Sequence, residues 1–216
     1  METTSNRTQK FLKNSFVGIV SQLSVIILTF LVRYFFIKTL GDNALGVNGV
    51  FSSILSLLSV AELGFGSTML YSLYKPVAEN DEQRINSIIT YFGRIFNYVA
   101  LIVFIGGSLA SAFLPFLLHG EYTYLTFVQY FVYLLSVVIT YPLDYKSVIL
   151  TAYQKDYIKK RNNLIISLSK SIIEIFILIF LKDYLIYLIV SLIANFILNF
   201  INCYSAKKIY KILYKS

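Results

Sequence analysis

Seven charged side chains lie within long apolar stretches of this chain, where an ordinary soluble core would leave them without partners. They are Arg33, Glu62, Arg94, Asp144, Lys146, Lys170 and Glu174. An unpaired charge costs several kcal/mol or more to bury, so each of these groups must be paired, neutralised or in contact with water. Ionisable residues within membrane helices mark substrate or ion pathways, and the seven residues are our candidates for such a pathway.

The spacing of three of these acids and bases is informative. Glu62 lies near the middle of an apolar run and has no cation within one helical turn. It can therefore couple an ion, line a cavity or pair with a residue of another helix. Lys170 and Glu174 are four residues apart, so they share one face of a helix. They either neutralise each other, which lets the helix insert at low cost, or line a common cavity.

The other four charged candidates lie nearer the ends of their apolar runs. Arg33 and Arg94 can extend their side chains to the membrane interface or contact a substrate. Asp144 and Lys146 follow Pro142 and can be solvated at the end of their run. Four uncharged polar residues can hydrogen-bond between helices or to sugars: Asn97, Gln129, Asn195 and Asn199.

Six apolar segments must position these residues. They are predicted at about Ser15–Ile37, Val47–Tyr74, Ile88–Leu118, Tyr122–Thr151, Leu164–Leu181 and Tyr184–Tyr204. A bilayer is crossed by about 20 apolar residues in a helix, and continuous apolar runs exclude the alternating strands of a membrane barrel. The sequence predicts an all-α integral membrane protein, a bundle of about six transmembrane helices over residues 15–204, between tails at 1–14 and 205–216.

Two local features of the segments predict their shape. Pro142 lies within the fourth segment and predicts a kink there. Gly106 and Gly107 begin a cluster of small residues in the third segment, and such clusters let membrane helices approach closely. Glycines also mark both ends of the second segment, where Gly64 and Gly66 follow Glu62 and serve either close packing or a bend of the helix.

Composition and charge agree with a membrane protein. Hydrophobic residues make up 57% of the chain and charged residues 14%, whereas soluble domains average roughly 45–50% and 25%. Of the 19 Lys and Arg, about thirteen fall in tails and loops on one side, about two on the other and about four within spans. This asymmetry predicts a cell-membrane protein with both termini in the cytoplasm, and it explains the net charge of +8 without nucleic acid.

The residue inventory gives no sign of an enzyme. The chain has one cysteine, Cys203, and one histidine, His119, which lack the partners of a metal site at ligand spacing. No glycine-rich loop precedes a Lys-Ser/Thr pair, and no nucleophile–histidine–acid arrangement stands out. We therefore predict no catalytic residues, no cofactor and no metal.

The first part of the chain resembles a known family. Arg33 is followed by Thr39-Leu40-Gly41-Asp42-Asn43-Ala44-Leu45-Gly46-Val47, by an apolar helix ending in Ala61-Glu62-Leu63-Gly64-Phe65-Gly66, and by Asp81-Glu82-Gln83-Arg84-Ile85. This order, over roughly residues 15–95, resembles the opening of Wzx-type polysaccharide flippases. These flippases belong to the multidrug/oligosaccharidyl-lipid/polysaccharide exporter superfamily.

The resemblance implies a transporter of the cytoplasmic membrane that flips a polyprenyl-diphosphate-linked oligosaccharide by alternating access, for surface polysaccharide biosynthesis. Its partners would be this lipid-linked oligosaccharide and membrane lipids. Such flippases have about twelve or more spans in two pseudo-repeated halves, so the chain resembles the N-terminal half of a two-lobed exporter fold. The chain would then be a truncated product, would form a homodimer, or would act with a second half that is encoded separately.

Other functions are also compatible with the sequence. The chain could be a transport-incompetent fragment or an accessory membrane subunit. It could also be a multidrug-type exporter of the same superfamily. A membrane polymerase or ligase acting on polyprenyl-linked sugars is disfavoured, because such enzymes bring a large outer loop and the outer loops predicted here contain only a few residues.

Overall fold

A computed structural model describes residues 4–59, 64–118, 120 and 122–209, apart from the side chains of residues 4–17, 19–21 and 209. Every regular element in these ranges is helical. The helices are α1 Thr4–Ser59, α2 Phe65–Glu79, α3 Glu82–Ala110, α4 Leu114–Leu117, α5 Tyr124–Val138, α6 Tyr141–Asp144, α7 Val148–Ala152, α8 Asp156–Phe180 and α9 Tyr184–Ile209. Short 3-10 turns at Ser111–Phe113 and Tyr145–Ser147 join α3 to α4 and α6 to α7. Helix α1 begins within the expected N-terminal tail, and α9 extends about one turn beyond Tyr204.

Five helical stretches within the described residues are long and apolar enough to cross a membrane. They are Gln22–Ser59, Glu82–Leu117, Tyr124–Ala152, Asp156–Phe180 and Tyr184–Lys208. Only 11–33% of their most apolar windows is buried inside the molecule, so side chains such as Phe30, Leu57 and Phe116 point outward. Apolar surface of this extent is stable in a bilayer rather than in water. The chain is therefore a multi-pass membrane protein.

Helix α1 is divided by a sharp break at Gly41, which has φ 82° and ψ 177°. The ring of Phe36, before the break, packs edge-on against Tyr184 at 5.5 Å between centroids. Asn48, after the break, accepts a hydrogen bond from the hydroxyl of the same Tyr184 at 3.0 Å. A continuous helix would separate residues 36 and 48 by about 18 Å. The chain therefore turns back at Gly41, and α1 consists of a first arm before Gly41 and a second arm after it.

The second predicted span is wrong as a single helix from Val47 to Tyr74. The second arm of α1 ends at Ser59 and α2 begins at Phe65. Gly64 precedes α2 with φ 96°, in the left-handed region that interrupts a helix. Five candidate spans are found among the described residues, so the prediction of about six spans is confirmed only in part. The helix is thus interrupted at Gly64, where the sequence left both packing and a bend open.

The fourth predicted span is interrupted close to Pro142, as expected. Helix α5 ends at Val138, and Pro142 lies in the first turn of α6, where a missing backbone N–H is tolerated. The remaining part of the span continues through a 3-10 turn and α7. The fifth and sixth predicted spans correspond to α8 and α9, which are joined by a turn at Leu181–Asp183.

Close helix contacts form at glycines of α3. A Cβ atom at Gly107 would lie 2.5 Å from Leu134 of α5, and one at Gly93 would lie 2.9 Å from the ring of Tyr145. The buried hydroxyl of Tyr130 also donates to the carbonyl oxygen of Gly107 at 2.8 Å. The predicted close approach at Gly107 is confirmed, whereas Gly93 was not singled out in the sequence.

The hairpin of α8 and α9 gives the bundle two recognisable ends. The basic end is where α8 begins and α9 ends, and it includes Lys159, Lys160, Lys207 and Lys208. The turn end holds the Leu181–Asp183 turn and, through the contacts of Tyr184, the break at Gly41. Helix α8 packs between α1 and α9, and α9 also packs on α5.

Candidate functional site

A polar cavity of about 230 Å³ lies between the arms of α1 and helices α8 and α9. We refer to it as the α1–α8 cavity. Its polar lining consists of Thr29, Arg33, Asn48, Ser167, Lys170, Ser171, Glu174 and Tyr187, and its apolar lining of Val25, Leu28, Val32, Phe36 and Leu45. Three of the seven charged candidates, Arg33, Lys170 and Glu174, are thus brought to one cavity.

Glu174 is the most deeply buried charged residue of this cavity, with 3% of its surface exposed. Its Oε1 atom lies 3.5 Å from Nζ of Lys170, one helical turn earlier. The same oxygen has no hydrogen-bond partner among the described residues. The contact is therefore a charge pair without hydrogen-bond geometry, and one buried carboxylate oxygen can still accept a hydrogen bond. The prediction that Lys170 and Glu174 share a helix face is confirmed.

Arg33 gives the cavity an excess of positive charge. Its side chain is exposed, and it forms no ion pair with any described residue. Arg33 and Lys170 are positive and Glu174 is negative, so the formal charge of the lining is +1. A cavity with this balance can receive an anionic group, and Arg33 can contact that group with several donors at once.

Aromatic residues surround the part of the cavity near the turn end. Tyr187 stacks on Tyr184 at 6.1 Å between centroids, and the ring of Phe36 lies edge-on to Tyr187 at 5.3 Å. The hydrogen bond from Tyr184 to Asn48 fixes the second arm of α1 against α9. These contacts hold the two arms of α1 in position around the cavity.

The other four candidates do not join this cavity. Asp144 lies near the basic end, where it accepts a hydrogen bond from Ser147 at 2.8 Å and faces Lys159 at 3.8 Å. The Nζ atom of Lys146 lies 5.6 Å from the ring centroid of Tyr145. Arg94 is exposed on α3 and does not line the α1–α8 cavity. Glu62 lies outside the described residues, so its expected role stays a prediction.

Some cavity residues were missed in the sequence. Ser171 is three residues before Glu174 and could have been found, because residues three apart share a helix face. Asn48 and Tyr187 carry no comparable local signal, since the fold at Gly41 and the packing of α9 bring them to the cavity. Among the described residues no three His, Cys, Asp or Glu side chains are grouped as metal ligands would be. His119 lies outside those residues.

No protein family, no curated protein and no solved structure matches this chain. The fold and the cavity define a class, a multi-pass α-helical membrane protein with a charged polar cavity between its helices.

Proposed function

We propose that this protein is a membrane transporter that flips a polyprenyl-diphosphate-linked oligosaccharide across the cytoplasmic membrane for surface polysaccharide biosynthesis. The observation that carries the proposal is the α1–α8 cavity, where Arg33 and Lys170 lie together between long apolar helices. The resemblance of the first part of the sequence to Wzx-type flippases supports the same function.

The lining of the cavity suits the proposed head group. A diphosphate crossing hydrocarbon needs cations that replace water, and Arg33 and Lys170 supply them. Sugar hydroxyls need hydrogen-bond donors and acceptors, which the side chains of Asn48, Ser171 and Glu174 provide. Because the side chain of Arg33 is exposed, a second lobe or a second copy of the chain could cover the cavity during transport.

A second candidate function rests on Glu174. Its buried oxygen without a hydrogen-bond partner and the apolar residues around it would suit an organic cation. A multidrug-type exporter would therefore use the same cavity with the opposite charge preference. The two functions differ in the residue on which they depend, Arg33 for the diphosphate and Glu174 for the cation.

Complementation in a host that lacks its own flippase tests the proposal. The chain is expected to restore surface polysaccharide, and Arg33→Gln and Lys170→Gln are expected to abolish the restoration. Lys75→Gln is the matched control, because Lys75 is exposed and pairs only with Glu79 on the surface of α2. All variants must be present in the membrane at equal amounts.

Three results would contradict the proposal or redirect it. Failure of the unmodified chain, present in the membrane, would contradict transport by this chain alone and favour an accessory subunit. Restoration that Arg33→Gln leaves intact would exclude the cavity as the phosphate path. Resistance to organic cations that Glu174→Gln abolishes, without restored polysaccharide, would identify the multidrug-type exporter.

A further inference from the structure

A second polar cavity, of about 350 Å³, lies at the basic end of the bundle. We refer to it as the basic-end cavity. It is lined by Thr140, Asp144, Asp156, Lys159, Lys160, Asn163, Leu198, Asn199 and Asn202. None of these residues lines the α1–α8 cavity, so the two sites are separate.

The charged residues of the basic-end cavity balance. Lys159 lies 3.8 Å from Asp144, and Lys160 lies 3.4 Å from Asp156. Two cations and two carboxylates give a formal charge of zero. All four side chains are partly exposed, so both signs of charge remain accessible to a bound group. A lining of this kind favours a ligand that carries a positive and a negative charge a few ångströms apart.

Two asparagines in the lining have unused hydrogen-bonding groups. Asn199 and Asn202 are 8% and 4% exposed, so both are more than nine-tenths buried. Oδ1 of Asn202 accepts a hydrogen bond from Nδ2 of Asn162 at 2.9 Å. Nδ2 of Asn199 donates to the carbonyl oxygen of Asn195 at 2.9 Å. The other end of each amide has no hydrogen bond within the described chain. Both residues line the cavity, and neither unused atom is among the buried atoms without a partner. Nδ2 of Asn202 is therefore an available donor and Oδ1 of Asn199 an available acceptor for a polar ligand.

An apolar groove adjoins this cavity on the same two helices. The groove, of about 280 Å³, lies between α8 and α9 and is lined by Ile166, Ser169, Lys170, Ile173, Val190, Ile193, Ala194 and Ile197. Asn163 of the cavity is three residues before Ile166 of the groove, and Leu198 of the cavity is four residues after Ala194 of the groove. Residues three or four apart in a helix lie on one face, so the polar cavity leads into the apolar groove along the hairpin.

We propose that the basic-end cavity and the α8–α9 groove together bind a zwitterionic aminophospholipid of the bilayer. The ammonium of the head group lies between Asp144 and Asp156, the phosphate contacts Lys159 and Lys160, and an acyl chain follows the groove. Nδ2 of Asn202 donates to a phosphate or ester oxygen, and Oδ1 of Asn199 accepts a hydrogen bond from the ammonium. Lys170 of the groove also lines the α1–α8 cavity, but the head-group cavity shares no residue with it, and lipid binding there does not require transport.

The chemistry of the lining distinguishes among head groups. A primary ammonium has three N–H donors for the two carboxylates, whereas a trimethylammonium has none. An anionic head group without an amine would bring its phosphate to the lysines and leave both carboxylates facing a negative charge. The cavity should therefore prefer an ethanolamine head group over choline or glycerol.

A head-group series on the unmodified full chain tests the preference. The purified protein is titrated with phosphatidylethanolamine, phosphatidylcholine and phosphatidylglycerol of identical acyl chains, and bound lipid is counted by native mass spectrometry. We expect about tenfold tighter binding of the ethanolamine lipid, the value of one charge-assisted hydrogen bond of about 1.4 kcal/mol. Equal binding of the three lipids, or a preference for phosphatidylglycerol, would overturn the proposal.

Variants then assign the preference to this cavity. The double change Asp144→Asn and Asp156→Asn keeps side-chain shape and is expected to bring ethanolamine and choline lipids to equal affinity. Asn199→Leu, which removes an acceptor for the ammonium, is expected to weaken binding of the ethanolamine lipid and not of the choline lipid. Asn195→Leu, one turn earlier on α9 and outside the cavity, is its matched control. If the double variant remains monodisperse and still prefers the ethanolamine lipid to the choline lipid, this site is excluded. If the double variant does not remain monodisperse, the single changes Asp144→Asn and Asp156→Asn are compared instead, and each must reduce the preference.

Discussion

The pair of Lys170 and Glu174 shows how a charged residue is held within an apolar helix. Lys170 is partly exposed, with 28% of its side chain accessible, whereas only 4% of the Glu174 side chain is accessible. The cation of the pair is therefore reachable from outside, whereas the carboxylate is almost fully buried. Loss of the cation leaves a buried carboxylate with little compensation, which is more costly than loss of both charges.

The first prediction concerns this asymmetry. Lys170→Met is expected to reduce the free energy of unfolding by roughly 2 kcal/mol, less than for a fully buried pair because Lys170 is partly exposed. Glu174→Gln is expected to cost less, since it leaves a partly exposed cation. The double variant should be more stable than Lys170→Met alone. Thermal unfolding in one detergent gives all three values, and strict additivity would show that the two charges do not interact.

At the scale of single elements, Gly41 determines the course of α1. Its φ of 82° with ψ of 177° lies in a region that is essentially restricted to glycine. No atom of the described residues lies within 4 Å of the position of an added Cβ atom. A side chain at this position would therefore be disfavoured by the backbone conformation and not by contact with neighbouring atoms.

The second prediction follows from this conformation. Gly41→Ala is expected to reduce the stability of the protein by about 1–3 kcal/mol through backbone strain. Gly49→Ala is the matched control, because Gly49 lies in the helical second arm and also has open space around its Cβ position. That change should be neutral or should stabilise by up to about 1 kcal/mol. Equal effects on the melting temperature would contradict the assigned role of Gly41.

The third prediction concerns the contact between α3 and α5. Gly107→Ala would bring a methyl group to 2.5 Å from Leu134, which is fully buried. Overpacking of this kind costs typically 1–3 kcal/mol. Leu134→Ala in the same chain is expected to make Gly107→Ala less harmful, so the double variant should lose less than the sum of the single losses. If the double variant loses as much stability as the two single variants together, the two side chains do not meet and α3 and α5 move apart at this point.

At the scale of the whole molecule, the distribution of Lys and Arg predicts the orientation in the membrane. The basic end should face the cytoplasm and the turn at Lys182 should face outward. With Cys203 replaced by Ser, single cysteines at Lys182 and at Lys207 can be labelled on intact cells by a membrane-impermeant maleimide. We expect labelling at position 182 and none at 207 until the cells are opened. The reverse pattern would invert the orientation.

The sequence predicted the membrane class, α3, α8 and α9 and the interruption at Pro142, because long apolar runs and proline act through local chemistry. It did not predict that the second apolar segment is divided at Gly64, since glycine is compatible with both a helix and a break. The shared face of Lys170 and Glu174 was predictable from their spacing. The addition of Arg33, Asn48 and Tyr187 to the same cavity was not, because it depends on the fold at Gly41 and on the packing of three helices.

The break at Gly41 also has an electrostatic consequence for the turn end. Where the first arm ends, its last carbonyl groups carry a partial negative charge, and where the second arm begins, its first N–H groups carry a partial positive one. Lys38 lies in the last turn of the first arm and Asp42 begins the second. Each side chain therefore has the sign that the adjacent helix dipole favours, by about 0.3–1 kcal/mol. The two side chains together leave no formal charge at this corner, so it adds nothing to the charge difference between the two ends of the bundle.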